Sequence, residues 1–260
     1  MTNKKIGLVL SGRGTLGITQ IGILKALEEL GMKPDVLSGT SSGAIIGAFY
    51  AAGYPLSEIT EIFTRNSIFN YLNKPWAEID LLKANEILYR KCFKKQSFKD
   101  FEIPLHIAAM DHSNGKSVIY SSGDVVKAIV ASSTFSTFYE PHSKKSKLIM
   151  SRRLINFFPS EPLMSKCDIV IGVFINPVKK ERIVSGMINI LDRDYPVPLY
   201  KEVHQKKAIC DLIIQPPISL DNGIYTEEKV QKLIDIGYCY TKGLNGKLSF
   251  LKQLKNMQSI

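Results

Sequence analysis

The hydrophobic positions at the start of the chain follow first a strand spacing and then a helical one. Residues 6–10 form a short apolar run of strand length, and residues 18–30 place Ile, Leu and Ala at helical intervals. A second apolar run at 36–38 precedes a small-residue helix over 43–52. This succession of strand, helix, strand and helix predicts a parallel sheet with helices on its faces.

The rest of the chain continues to mix strands and helices. Ser57 and Thr226 are predicted helix N-caps, and Asn114-Gly115 is typical of a hairpin turn. The pattern predicts helices over 57–72, 82–93, 124–132 and 226–242, a last amphipathic helix, and strands over 103–110, 117–121, 139–142, 148–151, 169–175 and 212–215. No repeat or linker separates these elements, so the sequence predicts one domain over residues 1–260.

The composition is that of a globular protein without a transmembrane helix. Of the 260 residues, 45% are hydrophobic and 22% are charged. The sequence has no segment of 18 consecutive uncharged apolar residues, which a transmembrane helix would need. The apolar run after Lys4-Lys5 mimics a signal peptide, but it breaks into Ser11-Gly-Arg-Gly14, so a buried strand is the better interpretation. The four scattered cysteines match no zinc or disulfide pattern and indicate reduced core thiols in a cytoplasmic protein.

The net charge of +10 is the most unusual global property of the chain. The favoured interpretation of its short basic clusters is a solvated surface, and the alternative is weak contact with an anionic membrane surface. Nucleic acid is not an expected partner, because the sequence has no helix-turn-helix signature and no interleaving of basic and aromatic residues. No metal or other cofactor is implied, and the oligomeric state is left open.

A glycine-rich turn links the first predicted strand to the first helix. Residues 12–17 spell G-x-G-x-x-G, which between a strand and a helix is typical of a dinucleotide site. Such a site also needs an acidic side chain at the end of the second strand for the ribose hydroxyls. Asp35 lies at a suitable distance along the chain, but it begins the second strand instead of ending it.

The second strand ends on a different motif. Residues 39–43 spell G-x-S-x-G between a strand and a helix, the setting of a nucleophile elbow, in which a sharp turn exposes the serine hydroxyl. The adjoining helix N-terminus favours a developing oxyanion. A serine hydrolase with Ser41 as nucleophile is therefore favoured over a nucleotide site, and over glycine turns that serve only close packing.

Four segments resemble the patatin-like phospholipase family: GLVLSG at 7–12, a long stretch over 21–54, SSGDVVKAIVASS at 121–133 and CDIVIGVF at 167–174. The resemblance implies a three-layer α/β/α sandwich with a mainly parallel sheet. It implies hydrolysis of lipid acyl groups by Ser41. Apart from the resemblance, an activated small-molecule ester would be the easiest substrate, because its leaving group needs little acid assistance. The resemblance also implies that the turn Gly12-Arg13-Gly14 lends backbone N–H groups to the oxyanion, with Arg13 and Gly14 contributing most.

Three loops depart from the family pattern. The family's dyad aspartate corresponds to Ser151, which cannot act as a general base near neutral pH. The pattern Gly-Gly-Gly-x-Arg-Gly is replaced over residues 12–17, and Ala-Ile-Pro-Gly is replaced by Thr134-Phe-Ser-Thr137. Two explanations compete: drift to an inactive pseudoenzyme or binding protein, or a rebuilt pocket. Because the elbow stays intact while all three loops change, we favour a deliberately engineered pocket as the hypothesis.

An active Ser41 without the dyad aspartate needs another base, and histidine is the usual choice. His112 follows the strand 103–110 at the edge where such sheets place their sites, and His142 lies on the predicted hairpin before Ser151. Either one is a candidate, against the alternative of a solvated hairpin histidine. His106 is expected in the core, and His204 on a surface helix.

Overall fold

The protein folds around one six-stranded sheet. The computed structural model describes residues 4–65, 78–93, 97–111, 116–133, 156–175, 204–206, 209–218 and 226–256. The strands are β1 (Ile6–Leu10), β2 (Val36–Thr40), β3 (Leu105–Asp111), β4 (Lys116–Tyr120), β5 (Ile169–Val173) and β6 (Leu212–Ile214). Their order is β4-β3-β2-β1-β5-β6, and every neighbouring pair is parallel except β3 and β4. The α/β class and the mainly parallel sheet are confirmed.

Eight α-helices have both ends within the described residues, and residues 204–206 are also helical. The eight helices are α1 (Thr19–Glu29), α2 (Ser42–Ala51), α3 (Leu56–Arg65), α4 (Glu78–Phe93), α5 (Val125–Ser133), α6 (Glu161–Met164), α7 (Glu227–Gly243) and α8 (Asn245–Asn256). Two short 3₁₀ helices cover Gly14–Ile18 and Phe98–Asp100. None of the helices in the described ranges is long and apolar enough to cross a membrane.

Side chains alternate between the two faces of the sheet, as the pleat of a strand requires. Leu8, Leu37 and Ile171 belong to the larger buried cluster, which also contains residues of α1, α2, α5 and α7. Val9 and Val170 belong to a smaller cluster that includes residues from 157–163, around the short helix α6. Both faces of the sheet are therefore covered within the described residues.

Two sequence interpretations of local structure are wrong. Ser57 is the second residue of α3 and not its N-cap, because the Pro55 carbonyl already accepts the first helical hydrogen bond, from the Ile59 N–H at 3.0 Å. Cys239 is exposed instead of lying in the core, while the other three cysteines are half-buried, and all four are free thiols. The predicted N-cap Thr226 is confirmed, since its hydroxyl accepts a hydrogen bond from the Lys229 N–H.

Candidate active site

The turn between β2 and α2 holds Ser41 in an unusual backbone conformation. Its φ is 50° and its ψ is −124°, and no other non-glycine residue in the described part of the chain has a positive φ. Such a conformation costs about 1–3 kcal/mol and persists where surrounding contacts enforce it. Ser41 is half-buried. The predicted sharp bend at the G-x-S-x-G motif is present at this position.

A second serine fixes the backbone of this turn. The Ser41 N–H donates to the Ser132 hydroxyl at 2.7 Å, and that hydroxyl in turn donates to the Ala108 carbonyl of β3 at 2.6 Å. On the other side of the residue, the Ser41 carbonyl accepts the first hydrogen bond of α2, from the Ile45 N–H at 3.0 Å. The last turn of α5 and strand β3 therefore both hold Ser41 in its strained conformation.

Replacing Ser132 with alanine is expected to lower the free energy of unfolding by about 1–3 kcal/mol, because it leaves the Ser41 N–H without its acceptor and removes the shorter of two side-chain hydrogen bonds to the Ala108 carbonyl. Ser133 gives a matched control, since its hydroxyl is buried without a hydrogen-bond partner among the described residues. Ser133→Ala should unfold at the wild-type denaturant concentration. Equal effects of the two variants in urea unfolding would contradict the role assigned to Ser132.

The glycine-rich turn after β1 packs directly against the Ser41 turn. A Cβ atom at Gly12 would lie 2.5 Å from the Thr40 carbonyl oxygen and 2.6 Å from the Ser41 Cβ. A Cβ atom at Gly17 would overlap the side chain of Ser42. Only glycine fits at such approaches, so the two motifs singled out in the sequence form one structural unit.

The backbone amides of the glycine-rich turn differ in what they bind. The Arg13 N–H donates to the Ser42 hydroxyl at 3.0 Å. Gly14, with a φ of 48°, begins the 3₁₀ helix and is exposed, and its N–H has no acceptor among the described residues. The turn thus offers one open amide at Gly14 and one amide, at Arg13, that is held by a neutral hydroxyl.

The N-terminus of α2 adds partial positive charge beside the Ser41 hydroxyl. Ser41 is the N-cap of α2, and its side chain makes no capping hydrogen bond. The N-terminal end of a helix favours nearby negative charge by about 0.3–1 kcal/mol at exposed sites. Open backbone amides and a helix N-terminus are groups that are suited chemically to binding an oxyanion.

The other predicted site residues, His112, His142 and Ser151, lie outside the described residues. His106 is a core residue as expected, being buried and 3.0 Å from the Lys166 Nζ through its Nε2 atom. Burial and the nearby Lys166 charge lower the pKa of its imidazole.

The position of Asp35 argues against the dinucleotide hypothesis. Asp35 precedes β2 and accepts hydrogen bonds from the Ile6 N–H at 2.7 Å and from the Lys255 Nζ at 3.2 Å. It therefore lies at the amino-terminal edge of the sheet, whereas the glycine-rich turn lies at the carboxyl-terminal edge. An acidic partner for ribose hydroxyls would have to lie at the same edge as the turn.

Ser132 and Ser42 are the residues of the site that sequence reasoning missed. Ser132 lies in the segment 121–133, which carried the family resemblance, but no motif spacing assigned it a contact with Ser41. Ser42 is the variable position of G-x-S-x-G, so the motif itself predicts nothing about its hydroxyl. Both contacts are made across the sheet edge between segments that are distant in sequence.

The chain is similar to fungal proteins named lysophospholipase NTE1 and to mycobacterial proteins named as NTE family proteins. The chain is 24% identical to "Lysophospholipase NTE1" of Phaeosphaeria nodorum over 98% of its own length and 19% of that protein. It is 27% identical to an uncharacterised NTE family protein of Mycobacterium tuberculosis, over 67% of the chain and 50% of that protein. The chain thus spans about a fifth of the fungal relatives and half of the mycobacterial one.

A solved structure and a family match complete the comparison. VipD from Legionella pneumophila has a similar fold, with a TM-score of 0.52 and 11% identity over 94% of this chain and 67% of that one. Residues 8–155, which include the glycine-rich turn and Ser41, match the family described as "Patatin-like phospholipase". Since this match covers more than half of the chain, the chain belongs to the patatin-like phospholipase family.

Proposed function

We propose that the chain is a serine hydrolase that cleaves ester-linked acyl groups, with Ser41 as the nucleophile. The observation that carries the proposal is the strained Ser41 turn, with a φ of 50°, packed against Gly12 at the carboxyl-terminal edge of the sheet. Strained residues cluster at active sites, where neighbouring structure holds them ready for reaction. In open α/β sheets, this edge is also where ligands bind.

The reaction proceeds in two steps through an acyl-enzyme. The Ser41 Oγ attacks the ester carbonyl carbon while its proton passes to a general base, and the carbonyl electron pair moves onto oxygen. The Gly14 N–H and the α2 N-terminus stabilise this oxyanion. The Arg13 N–H joins them by exchanging the neutral Ser42 hydroxyl for the charged oxygen, because charged acceptors form stronger hydrogen bonds. When this tetrahedral intermediate collapses, the alcohol leaves with the proton that the base had taken from Ser41. Water then hydrolyses the acyl group from the Ser41 oxygen.

The general base is the part of the mechanism that the family pattern does not supply, because Ser151 occupies the position of the dyad aspartate. We keep His142 and His112 as the two candidates. The rate of covalent labelling by a fluorophosphonate, measured against pH, separates them. We expect His142→Ala or His112→Ala to lower the rate about 10²–10⁴-fold near neutral pH. Wild-type rates in both variants would exclude a histidine base.

The proposed substrate is a lipid acyl ester or a small activated ester. Support comes from the family match and from the lysophospholipase names of the fungal relatives, of which this chain covers about a fifth. An activated ester is the easiest substrate because its leaving group needs little help from a general acid. We also propose a cytoplasmic location, which the four free thiols support.

A binding protein without catalytic activity is the second candidate. It is favoured by the family resemblance, which implies that Ser151 stands where the family has its dyad aspartate. The hypothesis of an engineered pocket rests on all three altered loops together with the intact elbow. An alignment of natural relatives tests the engineering hypothesis, because a natural branch that shares all three altered loops would contradict it.

The test of the proposed function is hydrolysis of p-nitrophenyl butyrate and of lysophosphatidylcholine by the purified chain. We expect release of p-nitrophenol above the buffer rate, with a burst if deacylation is the slow step. Binding of lysophosphatidylcholine without release of fatty acid or p-nitrophenol would favour the binding protein. If the chain neither binds lysophosphatidylcholine nor hydrolyses either substrate, both candidates are contradicted.

A further inference from the structure

A groove of about 1020 Å³ opens at the edge of the sheet opposite to Ser41. Its walls include Val36 and Leu105, the first residues of β2 and β3, together with the loop at 121–123 after β4. Val36 is five residues before Ser41 along an extended strand, which corresponds to roughly 17 Å at 3.3–3.4 Å per residue. The groove is therefore separate from the proposed active site.

Three exposed lysines line this groove. Lys5, Lys99 and Lys166 all contribute to its walls, and the ion pairs among the described residues include none of them. The acidic groups nearby accept hydrogen bonds from other donors: the Asp168 carboxylate from the Lys5 backbone N–H at 2.7 Å, and the Asp100 carboxylate from Ser97. Three cationic side chains around one groove give it a positive potential, which favours a bound anion.

A buried histidine adds a neutral donor to the same wall. His106 is 6% exposed, and its Nε2 atom lies 3.0 Å from the Lys166 Nζ. A protonated lysine has no lone pair, so Nε2 is the acceptor and the neutral ring carries its proton on Nδ1. His106 contributes to the lining of the groove, so a ligand oxygen bound there can accept a hydrogen bond from this N–H.

The remaining walls combine apolar side chains with hydroxyl groups. Phe98 and Phe101 are buried aromatic residues that contribute to the lining, as does Pro104. The hydroxyl-bearing residues Ser121 and Ser122 are exposed on the opposite loop. Small-molecule sites are typically grooves of about 300–1,000 Å³ with largely apolar walls and a few polar groups that fix the ligand. This groove combines apolar side chains, hydroxyl groups and positive charge in its lining.

We propose that this groove binds a phosphate monoester, with the phosphate between Lys5 and Lys166 and the organic portion against Phe98 and Phe101. Phosphate is favoured over a single carboxylate because it carries up to two charges and several acceptor oxygens, which matches several lysines and an N–H donor. The phosphate belongs either to a small soluble monoester or to the headgroup of an anionic lipid. The proposal does not depend on the role of Ser41.

The test follows the imidazole NMR signals of His106 in the full chain during titration with inorganic phosphate and with phenyl phosphate. Chloride at equal ionic strength controls for general salt effects. We expect saturable shifts with both phosphates and tighter binding of phenyl phosphate. Lys5→Ala and Lys166→Ala should each weaken binding about tenfold or more. Lys247→Ala removes an exposed lysine that does not line the groove and should leave binding unchanged.

Binding to lipid vesicles distinguishes a soluble phosphate monoester from the headgroup of a lipid. Preference for phenyl phosphate over inorganic phosphate, without binding to phosphatidylcholine vesicles that contain phosphatidic acid, assigns a soluble monoester. Binding to those vesicles that is lost in Lys166→Ala but kept in Lys247→Ala assigns a lipid headgroup. The proposal is overturned if neither phosphate shifts the His106 signals and the vesicles do not bind. It is equally overturned if Lys247→Ala weakens binding as much as Lys166→Ala does.

Discussion

Replacing Ser41 with alanine is expected to lower kcat/KM for p-nitrophenyl butyrate at least about 10³-fold, to the rate of the oxyanion-binding groups alone. The Ser41 hydroxyl is the group that is acylated in the proposed mechanism, and both steps depend on it. A 10³-fold loss corresponds to about 4 kcal/mol of transition-state stabilisation. The measurement is steady-state hydrolysis by the wild type and by the variant at equal concentration.

Two controls make this result specific to the chemistry. Ser133→Ala removes a hydroxyl that has no partner among the described residues, and it should keep the wild-type rate. Thermal unfolding of Ser41→Ala should match the wild type, because the Ser41 contacts recorded in the structure are made by its backbone N–H and carbonyl. Hydrolysis by Ser41→Ala at more than a tenth of the wild-type rate would assign the activity to another residue.

Gly43→Ala is expected to destabilise the fold by about 3 kcal/mol or more. A Cβ atom at this position would overlap the Leu10 carbonyl oxygen and lie 2.8 Å from the Ser11 carbonyl oxygen. Both oxygens belong to the backbone at the end of β1. The overlap can therefore be relieved only if β1 and α2 move apart. Overpacking of this kind costs about 1–3 kcal/mol even where side chains can adjust, and occasionally more. Urea unfolding with an unchanged m-value measures the loss.

Gly47→Ala is the matched control within the same helix. Its added Cβ would meet only the ends of two flexible side chains, the Leu10 Cδ1 at 3.3 Å and the Leu105 Cδ1 at 3.5 Å. Alanine in a helix interior is also more favourable than glycine by up to about 1 kcal/mol in helix propensity. Gly47→Ala should therefore remain within about 1 kcal/mol of the wild type. Equal losses at Gly43 and Gly47 would show that close packing of β1 and α2 is not the cause.

The local part of the fold and site could be predicted from the sequence because local patterns determine it. The apolar run 6–10 coincides with β1, and the predicted helix 43–52 differs from α2 by one residue at each end. Both glycine motifs lie in the predicted strand-to-helix turns. In each case the prediction comes from the spacing of the hydrophobic residues and from the positions of the glycines, and both can be seen in a single sequence.

Contacts between distant segments could not be predicted in the same way. The Ser132 hydroxyl reaches the Ser41 N–H across 91 positions, and the Ser42 hydroxyl reaches the Arg13 N–H across 29. Neither contact leaves a periodic signal, because each depends on how strands β1, β2 and β3 align. The groove at the opposite edge likewise joins residues from near position 5 to position 166, and no motif connects them.

Fluorophosphonate labelling followed by mass spectrometry of the peptide that contains Ser41 and Ser42 tests the central claim most directly. The account predicts one phosphonyl group per chain, on the Ser41 oxygen, and none in Ser41→Ala. Ser42 is an internal control, because it lies one residue away and its hydroxyl accepts the Arg13 N–H. Modification of another serine, or no modification under conditions that label other patatin-like enzymes, would contradict Ser41 as the nucleophile.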